Sequence, residues 1–455
     1  MERILEFLRD VLSQPALLIG IMSCVGLIAL KRPFHKIMTG TLKPILGYLM
    51  LAAGAGVIVS NLDPLGKMIE HGFHITGVVP NNEAIVAVAQ KVLGVETMSI
   101  LVVGLLMNLL IARFTKFKYV FLTGHHSLFM ACLMSAVLGT AGLSGIELIL
   151  VGGFLMGAWS AISPAIGQSY TSKVTDGDEI ALGHFGSLGY YLSAWVAKYV
   201  GKAEESTEDI EIPEKWGFLR DSTLSTALTM IVFYLIAAIA AGSEFVATLS
   251  GSMSPYLFAV MSAMNFAVGV AIVYSGVRMI LGDLIPAFQG IATKIIPNAI
   301  PAVDCAVFFT YAPTAVVLGF ISSFIGGIIG MLILGAVGGV LIIPGLVPHF
   351  FCGATAGIYG NATGGRRGAA VGAFLNGLAI TFLPALALPV LGQLGFQNTT
   401  FGDADFAVMG LVLGNAFEWI GMAGIYGVVV IAALVLIIPN FIKTKGKVIN
   451  YVEEE

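Results

Sequence analysis

Charge is what this sequence has little of. Only 11% of its 455 residues are Asp, Glu, Lys or Arg, where ordinary soluble domains carry about 25%. With 57% hydrophobic residues and a mean hydropathy of +0.92, the chain has more apolar surface than a water-soluble core of its size could enclose. A soluble fold is excluded, and lipid is the natural solvent. A net charge of −4 offers nothing to a nucleic-acid backbone, so no nucleic-acid partner is expected. Cysteine is scarce as well. Cys24, Cys132, Cys305 and Cys352 sit in apolar surroundings without C-x-x-C or Cys/His spacing, and read as buried thiols. No Walker motif supports an ATP-driven pump. No nucleophile–base pair or metal-ligand spacing supports a membrane enzyme, and no cofactor or metal is expected. Residues 1–15 carry Glu2, Arg3, Glu6, Arg9 and Asp10 with no small-residue cleavage site, so no removable signal peptide is expected either.

What is present is a series of apolar runs, each near the ~20 residues that cross a hydrocarbon core. They fall at 15–31, 40–60, 96–114, 119–140 and 143–162, then at 224–247, 256–280, 310–337, 369–395 and 406–440. The last is long enough for one tilted helix or a broken pair. This predicts an all-α polytopic membrane protein with about 10–11 transmembrane helices. Residues 61–93, 163–200, 281–305 and 338–366 are mixed in polarity and rich in Gly and Pro. They are expected to form re-entrant or amphipathic elements, since irregular backbone at membrane depth survives only beside protein or a water-filled cavity. Residues 201–222 are dense in charge and read as an aqueous linker between a first membrane half, 1–200, and a second, 223–455. By the positive-inside bias, Lys443, Lys445 and Lys447 put the C-terminal tail in the cytoplasm. Arg113, Lys116 and Lys118, and Lys31, Arg32 and Lys36, form loops expected on that same side.

The halves echo each other. Residues 56–83 and 276–304 each open with Gly-Val, turn through an Asp and a Pro, and reach Pro-Asn with an acid beyond. The opening glycines, Gly56 and Gly276, stand 220 positions apart. G-G-F-L-M-G-A-W-S-A-I-S-P at 152–164 matches G-A-F-L-N-G-L-A-I-T-F-L-P at 372–384 with the same offset. Asp178 and Asp403 follow at a slightly larger one. An internal duplication is the reading, and an odd number of crossings per half gives it inverted topology, with a solute site between the halves. The acids are less symmetric: Glu83 lies three residues after Pro80, Asp304 seven after Pro297.

Intramembrane ionisable groups point to function by default, each against a plainer account. Asp304, between P-A-V and C-A-V-F-F, is the sharpest; an unpaired carboxylate there costs ~2.5–3.5 kcal/mol. It suits a polyol hydroxyl or a cation, and a structural ion pair with Lys294 or Arg278 is the competing account. His184 sits in a Gly-bounded polar insertion. His125 and His126 open the fourth apolar run, where interfacial anchoring competes with ligand contact. Asn82 can donate and accept, as hydroxyls require. With Glu83 it also fits a plain helix N-terminus. G-G-R-R-G at 364–368 could face a phosphate, but reads in preference as a cytoplasmic basic turn.

Together T-G-H at 123–125, T-D-G-D-E-I-A-L-G-H at 175–184, K-A-E-E-S-T-E-D at 202–209, G-V-R-M at 276–279 and I-P-A-V-D-C-A at 300–306 carry a resemblance. Over essentially its whole length the sequence resembles the ascorbate-type IIC membrane component of the bacterial sugar phosphotransferase system. The resemblance implies a homodimer in the bacterial inner membrane, with a V-shaped dimer-forming motif, a substrate-binding core in each subunit, and elevator-like movement of that core. It implies separate IIA and IIB partners, with phosphorylation of the incoming sugar by a phosphocysteine on IIB. Carried over by position, the ascorbate contacts fall on Asn82, Glu83, His125, His126, Ser127, Leu128, Phe129, His184, Phe185 and Asp304. Phe129 and Phe185 stand where the ascorbate pattern has Gln, and a Gln near Ala52 is absent. The leading reading is a permease for L-ascorbate or a related sugar or sugar acid. The rival is a proton- or sodium-coupled secondary transporter using Asp304 and Glu83.

Overall fold

The structure is a computed structural model and describes residues 11, 14–74, 77–80, 82–177, 179–210, 222–392 and 399–441. Asp178 and the Lys443–Lys447 tail lie outside the described residues, as does the side chain of Glu83. In hydrocarbon a helix satisfies its own backbone, so the apolar runs fold as helices. The first half contains α1 (Pro15–Ala29), α2 (Phe34–Phe73), β1 (Val79–Pro80), α3 (Asn82–Phe114) and β2 (Tyr119–Phe121). It continues through α4 (Gly124–Thr140), α5 (Gly145–Thr175), β3 (Ala181–Leu182) and α6 (Ser187–Val200). The second half contains α7 (Ser222–Ala241), α8 (Ser243–Ser250), α9 (Pro255–Lys294), β4 (Ile300–Val303), a 3-10 turn (Cys305–Thr310) and α10 (Pro313–Ala336). It ends with α11 (Leu346–Gly392), β5 (Thr399–Thr400), α12 (Ala404–Ile420) and α13 (Met422–Phe441).

Among the described residues, seven helices are long and apolar enough to span a membrane, or up to eight if the bent pair α7–α8 is one span. This is a polytopic all-α membrane protein. Shorter helices of 15, 17 and 17 residues, α1, α4 and α12, stand beside them. The run 406–440 is a broken pair, divided at Gly421 with φ 62. Helix extends through much of the Gly/Pro-rich segments too. Pro64, Pro164 and Pro286 lie inside α2, α5 and α9. Within those segments, among the described residues, irregular backbone falls in short breaks near residues 77–80, 179–186, 295–304 and 337–345. α11 is itself broken at Gly364–Gly365, where Gly365 adopts φ 59, ψ −155, a conformation open to glycine and not to side-chain-bearing residues.

Those breaks are tied by two small parallel strand clusters, which satisfy backbone groups that helices leave free. In one, β4 is central: Tyr119, Val120 and Phe121 pair with Ile300, Pro301 and Ala302, and Ala181 and Leu182 pair with Ala302 and Val303. In the other, β1 pairs with β5, Val79 to Thr399 and Pro80 to Thr400, and Val78 bridges to Ile342. Each cluster inserts a strand from one half between segments of the other. This register also changes the comparison of the acids. Pro301, not Pro297, occupies the strand position of Pro80, so Glu83 and Asp304 are each the third residue after a strand proline.

Helices α1, α2, α7, α8 and α9 pack on one another. The α2–α9 contact runs backbone to backbone at two glycine pairs. A Cβ on Gly276 would lie 2.5 Å from the Gly47 carbonyl oxygen, and one on Gly54 would lie 2.7 Å from that of Gly269. Small residues of this kind let membrane helices approach closely. α3 packs on α5, and α10 and α6 pack on α11, to form the rest of the molecule. Lys116 N–H donates to Asn440 Oδ1 at 2.9 Å, which sets the 113–118 loop beside the end of α13.

Candidate functional site

The strand tips converge on a group of polar side chains. Asp304 leaves β4 and opens the 3-10 turn, with Oδ1 accepting Ala306 N–H at 3.0 Å. Its Oδ2 stands 3.5 Å from His125 Nε2. The alternative partners Arg278 and Lys294 are both exposed, so the ion-pair account of Asp304 passes to His125. His125 and His126 open α4 directly after β2, which the pairing with β4 carries to the Asp304 tip. His125 Nδ1 meets the Tyr48 hydroxyl from α2 at 3.3 Å.

From His125 the polar groups run on as a string. The rings of His125 and His126 are 4.8 Å apart between centroids, and those of His126 and His184 are 3.8 Å apart. His126 Nδ1 accepts Phe185 N–H at 3.3 Å. His184 Nδ1 is 3.1 Å from the donating Gly186 N–H and 2.9 Å from the Tyr190 hydroxyl. Nitrogens that accept backbone N–H groups carry no proton of their own, so in the neutral rings both protons lie on Nε2. His184 Nδ1 also lies 3.8 Å from Asp403 Oδ1. Asp403 accepts Asn82 Nδ2 at 2.6 Å and Cys352 Sγ at 3.0 Å. Asn82 in turn takes Gly402 N–H on its Oδ1 at 2.8 Å. Asp304, His125, His126, His184, Asp403 and Asn82 therefore form one path of neighbouring polar groups, linked at the histidines by ring contact and with no hydrogen bond between His184 Nδ1 and Asp403. It offers carboxylate acceptors at both ends and imidazole N–H donors between them. That pattern suits a ligand with several hydroxyls.

Asp405 braces the path from behind. It is fully buried and accepts Ser187 Oγ at 2.7 Å, Leu188 N–H at 2.9 Å and Trp159 Nε1 at 3.1 Å. Its own N–H donates to the Phe185 carbonyl at 2.9 Å. The carboxylate thus caps the start of α6, where Gly186 has no side chain to do so, and its charge suits the positive end of that helix.

The other sequence-predicted residues fall differently. Phe185 is fully buried; its ring stacks on Phe121 with centroids 4.6 Å apart and meets Phe406 edge-on at 5.7 Å. Phe129 packs against His125, His126 and Phe406. The two phenylalanines therefore form an apolar floor under the histidines. Ser127 turns back to the Thr123 carbonyl at 3.4 Å, and Leu128 packs on the same apolar cluster. Sequence reasoning misses Tyr48, Asp405, Tyr190 and Cys352: Tyr48 and Cys352 lie far in the chain from the predicted site residues, and Tyr190 and Asp405 carry no signal of their own in helix-forming sequence. It finds Asp403 only as an echo of the first half and not as a site residue. Spacing also hides a cluster with ligating potential. The ligand atoms of His126, His184 and Asp403 lie within 4.8 Å of one another, close enough to consider a cation. The backbone N–H groups on both Nδ1 atoms leave protonated Nε2 atoms, which favours hydroxyl binding over metal binding.

A polar path of this kind, set among membrane helices where two strand clusters meet and open to the surface at His125, defines a polytopic solute permease. Comparison with known proteins makes this specific. The family profile described as the PTS system sugar-specific permease component, EIIC-GAT, matches residues 10–405. The chain belongs to that family. It is also 26% identical, across 78% of its own length, to a Mycoplasma pneumoniae protein named the ascorbate-specific PTS system EIIC component. The chain spans 62% of that relative's length, so somewhat less than two thirds.

Proposed function

We propose that this chain is the permease through which a phosphotransferase system takes up L-ascorbate or a related sugar or sugar acid. The observation that carries the reading is the Asp304–His125–His126–His184–Asp403–Asn82 path. It presents carboxylate acceptors on either side of three imidazoles and an amide beyond them, groups that suit vicinal hydroxyls and a carbonyl. The solute is held where the two halves meet and passed to a separate phosphorylated IIB protein, itself supplied by IIA. The phosphoryl donor waits in the cytoplasm, and the positive-inside bias of the 113–118 loop, which lies beside the end of α13, supports that side for both in a bacterial inner membrane. The crossed strand clusters support two halves of inverted topology. Exposed apolar positions on α7 and α9, among them Val232, Ile236 and Leu257, suit lipid or a second copy in a homodimer. Elevator-like movement of α3–α6 and α10–α13 against the α2–α9 pair fits the way the helices divide.

A second reading, a proton- or sodium-coupled transporter, draws on the closeness of His126, His184 and Asp403. Uptake into vesicles separates the two. Phosphorylated L-ascorbate is expected inside only when IIA, IIB and a phosphoryl donor are supplied. Accumulation of unmodified solute under an imposed proton or sodium gradient, without those proteins, would overturn the leading reading.

A further inference from the structure

Tyr48 belongs to a helix that contributes nothing else to the polar path. A cleft beside Asp304 separates two groups of residues. Ile19, Tyr48 and Ile280 come from α1, α2 and α9, and Leu122, Thr123, Val303, Asp304 and Val307 face them. Tyr48 is the polar member of the first group. The cleft leaves no space for a water molecule, so it is shut in this state. Thr123 lines the closed cleft. Its Oγ1 is buried without a hydrogen-bond partner, and so is not satisfied by protein. Other buried hydroxyls share this lack, among them Ser163 and Thr400; what distinguishes Thr123 is its place on the closed cleft beside Asp304, where a solute hydroxyl would relieve the cost.

We propose that Tyr48 is a latch on the solute site. Its hydroxyl occupies His125 Nδ1 at 3.3 Å in the place a solute hydroxyl would take, and holds the cleft closed over Thr123 and Asp304. The direction of the bond follows from the neighbours. His125 Nε2 faces the Asp304 carboxylate at 3.5 Å and carries the proton, which leaves Nδ1 to accept from the Tyr48 O–H. A solute hydroxyl arriving at Nδ1 releases Tyr48, the cleft opens, and the Thr123 hydroxyl gains its missing partner. Capture is thereby coupled to separation of α2 from the strand tips. The solute half of this inference rests on the sugar-permease reading, whereas the latch half does not.

The test uses the full chain in detergent with Thr123→Cys as a reporter. The rate of N-ethylmaleimide modification at position 123 is followed by peptide mass spectrometry, with and without Tyr48→Phe. Val307→Cys serves as a second reporter on the same cleft in case the first variant fails to fold. Slow labelling is expected with Tyr48 intact. Tyr48→Phe is expected to speed it roughly fivefold, the population shift that loss of one ordinary hydrogen bond produces. Equal rates at both reporters would overturn the latch. L-Ascorbate is expected to change the rate in the Tyr48 background. A rate that depends on Tyr48 but ignores L-ascorbate supports the latch and removes that solute.

Discussion

Asn82 donates through Nδ2 to Asp403 Oδ2 at 2.6 Å, across 321 positions of sequence. The same amide accepts Gly402 N–H, so one side chain from the start of α3 clamps the segment that leads into α12. Asn82→Ala is therefore expected to leave Asp403 buried with a donor missing and Gly402 with no acceptor. Hydrogen bonds to charged groups contribute about 1.5–3 kcal/mol, and a loss of that order should appear in unfolding of the unliganded protein in detergent. An unchanged unfolding midpoint would mean that the clamp carries no stability.

Asp304 and His184 occupy opposite arms of the polar path, each with its first partner supplied by a neighbouring element. Asp304→Asn and His184→Ala should each weaken solute binding by about 10- to 100-fold, the range expected when a hydrogen bond to a charged or buried partner is lost. Equilibrium binding of radiolabelled L-ascorbate to the purified protein measures this, with gel filtration to show that the fold persists. Unchanged affinity in both variants would remove the path as the solute site.

Asp405 acts through His184. Its three donors and its own N–H hold the 185–188 segment that carries His184 into place. Asp405→Asn replaces one acceptor oxygen with an N–H₂ group facing groups that themselves donate. Roughly a tenfold loss of solute affinity is expected, with a shift in Trp159 emission because its indole N–H bonds this carboxylate. Trp159→Phe removes one donor of the three and should cost no more than about threefold, within the net value of one hydrogen bond. If Asp405→Asn leaves both affinity and the indole signal unchanged, the brace is not a brace.

Much of this arrangement is legible in the amino-acid order. The apolar runs specify helices because only helices satisfy backbone in lipid as a single segment. Asp304, His125 and His184 stand out because ionisable groups at membrane depth are costly. Tyr48 and Asp405 are not legible, for a different reason. A tyrosine in an apolar helix and an acid at a helix start look ordinary in sequence, and their roles arise only when α2 meets α4 and α12 meets α6. The 3-10 turn shows the same limit. Counting from Pro297 separates Asp304 from Glu83, whereas the β4 register restores Pro301 as the reference.

The echo of Gly56 and Gly276 at a fixed sequence offset suggests equivalent glycines, and their surroundings make opposite predictions. Gly276 faces α2 so closely that an added Cβ would lie 2.5 Å from the Gly47 carbonyl oxygen and 2.7 Å from the Leu51 nitrogen. Both are backbone atoms and cannot rotate aside. Gly276→Ala should therefore push α9 off α2 at a cost of about 1–3 kcal/mol, the usual range for overpacking. Around Gly56 nothing lies within 4 Å of an added Cβ. Gly56→Ala removes backbone freedom from the unfolded chain and should stabilise the protein by about 0.5–1 kcal/mol. Paired unfolding curves in one detergent test both at once. A neutral Gly276→Ala would show that α2 and α9 do not meet at their glycines. A destabilising Gly56→Ala would show instead that its face packs against a partner, as a second copy of the chain would.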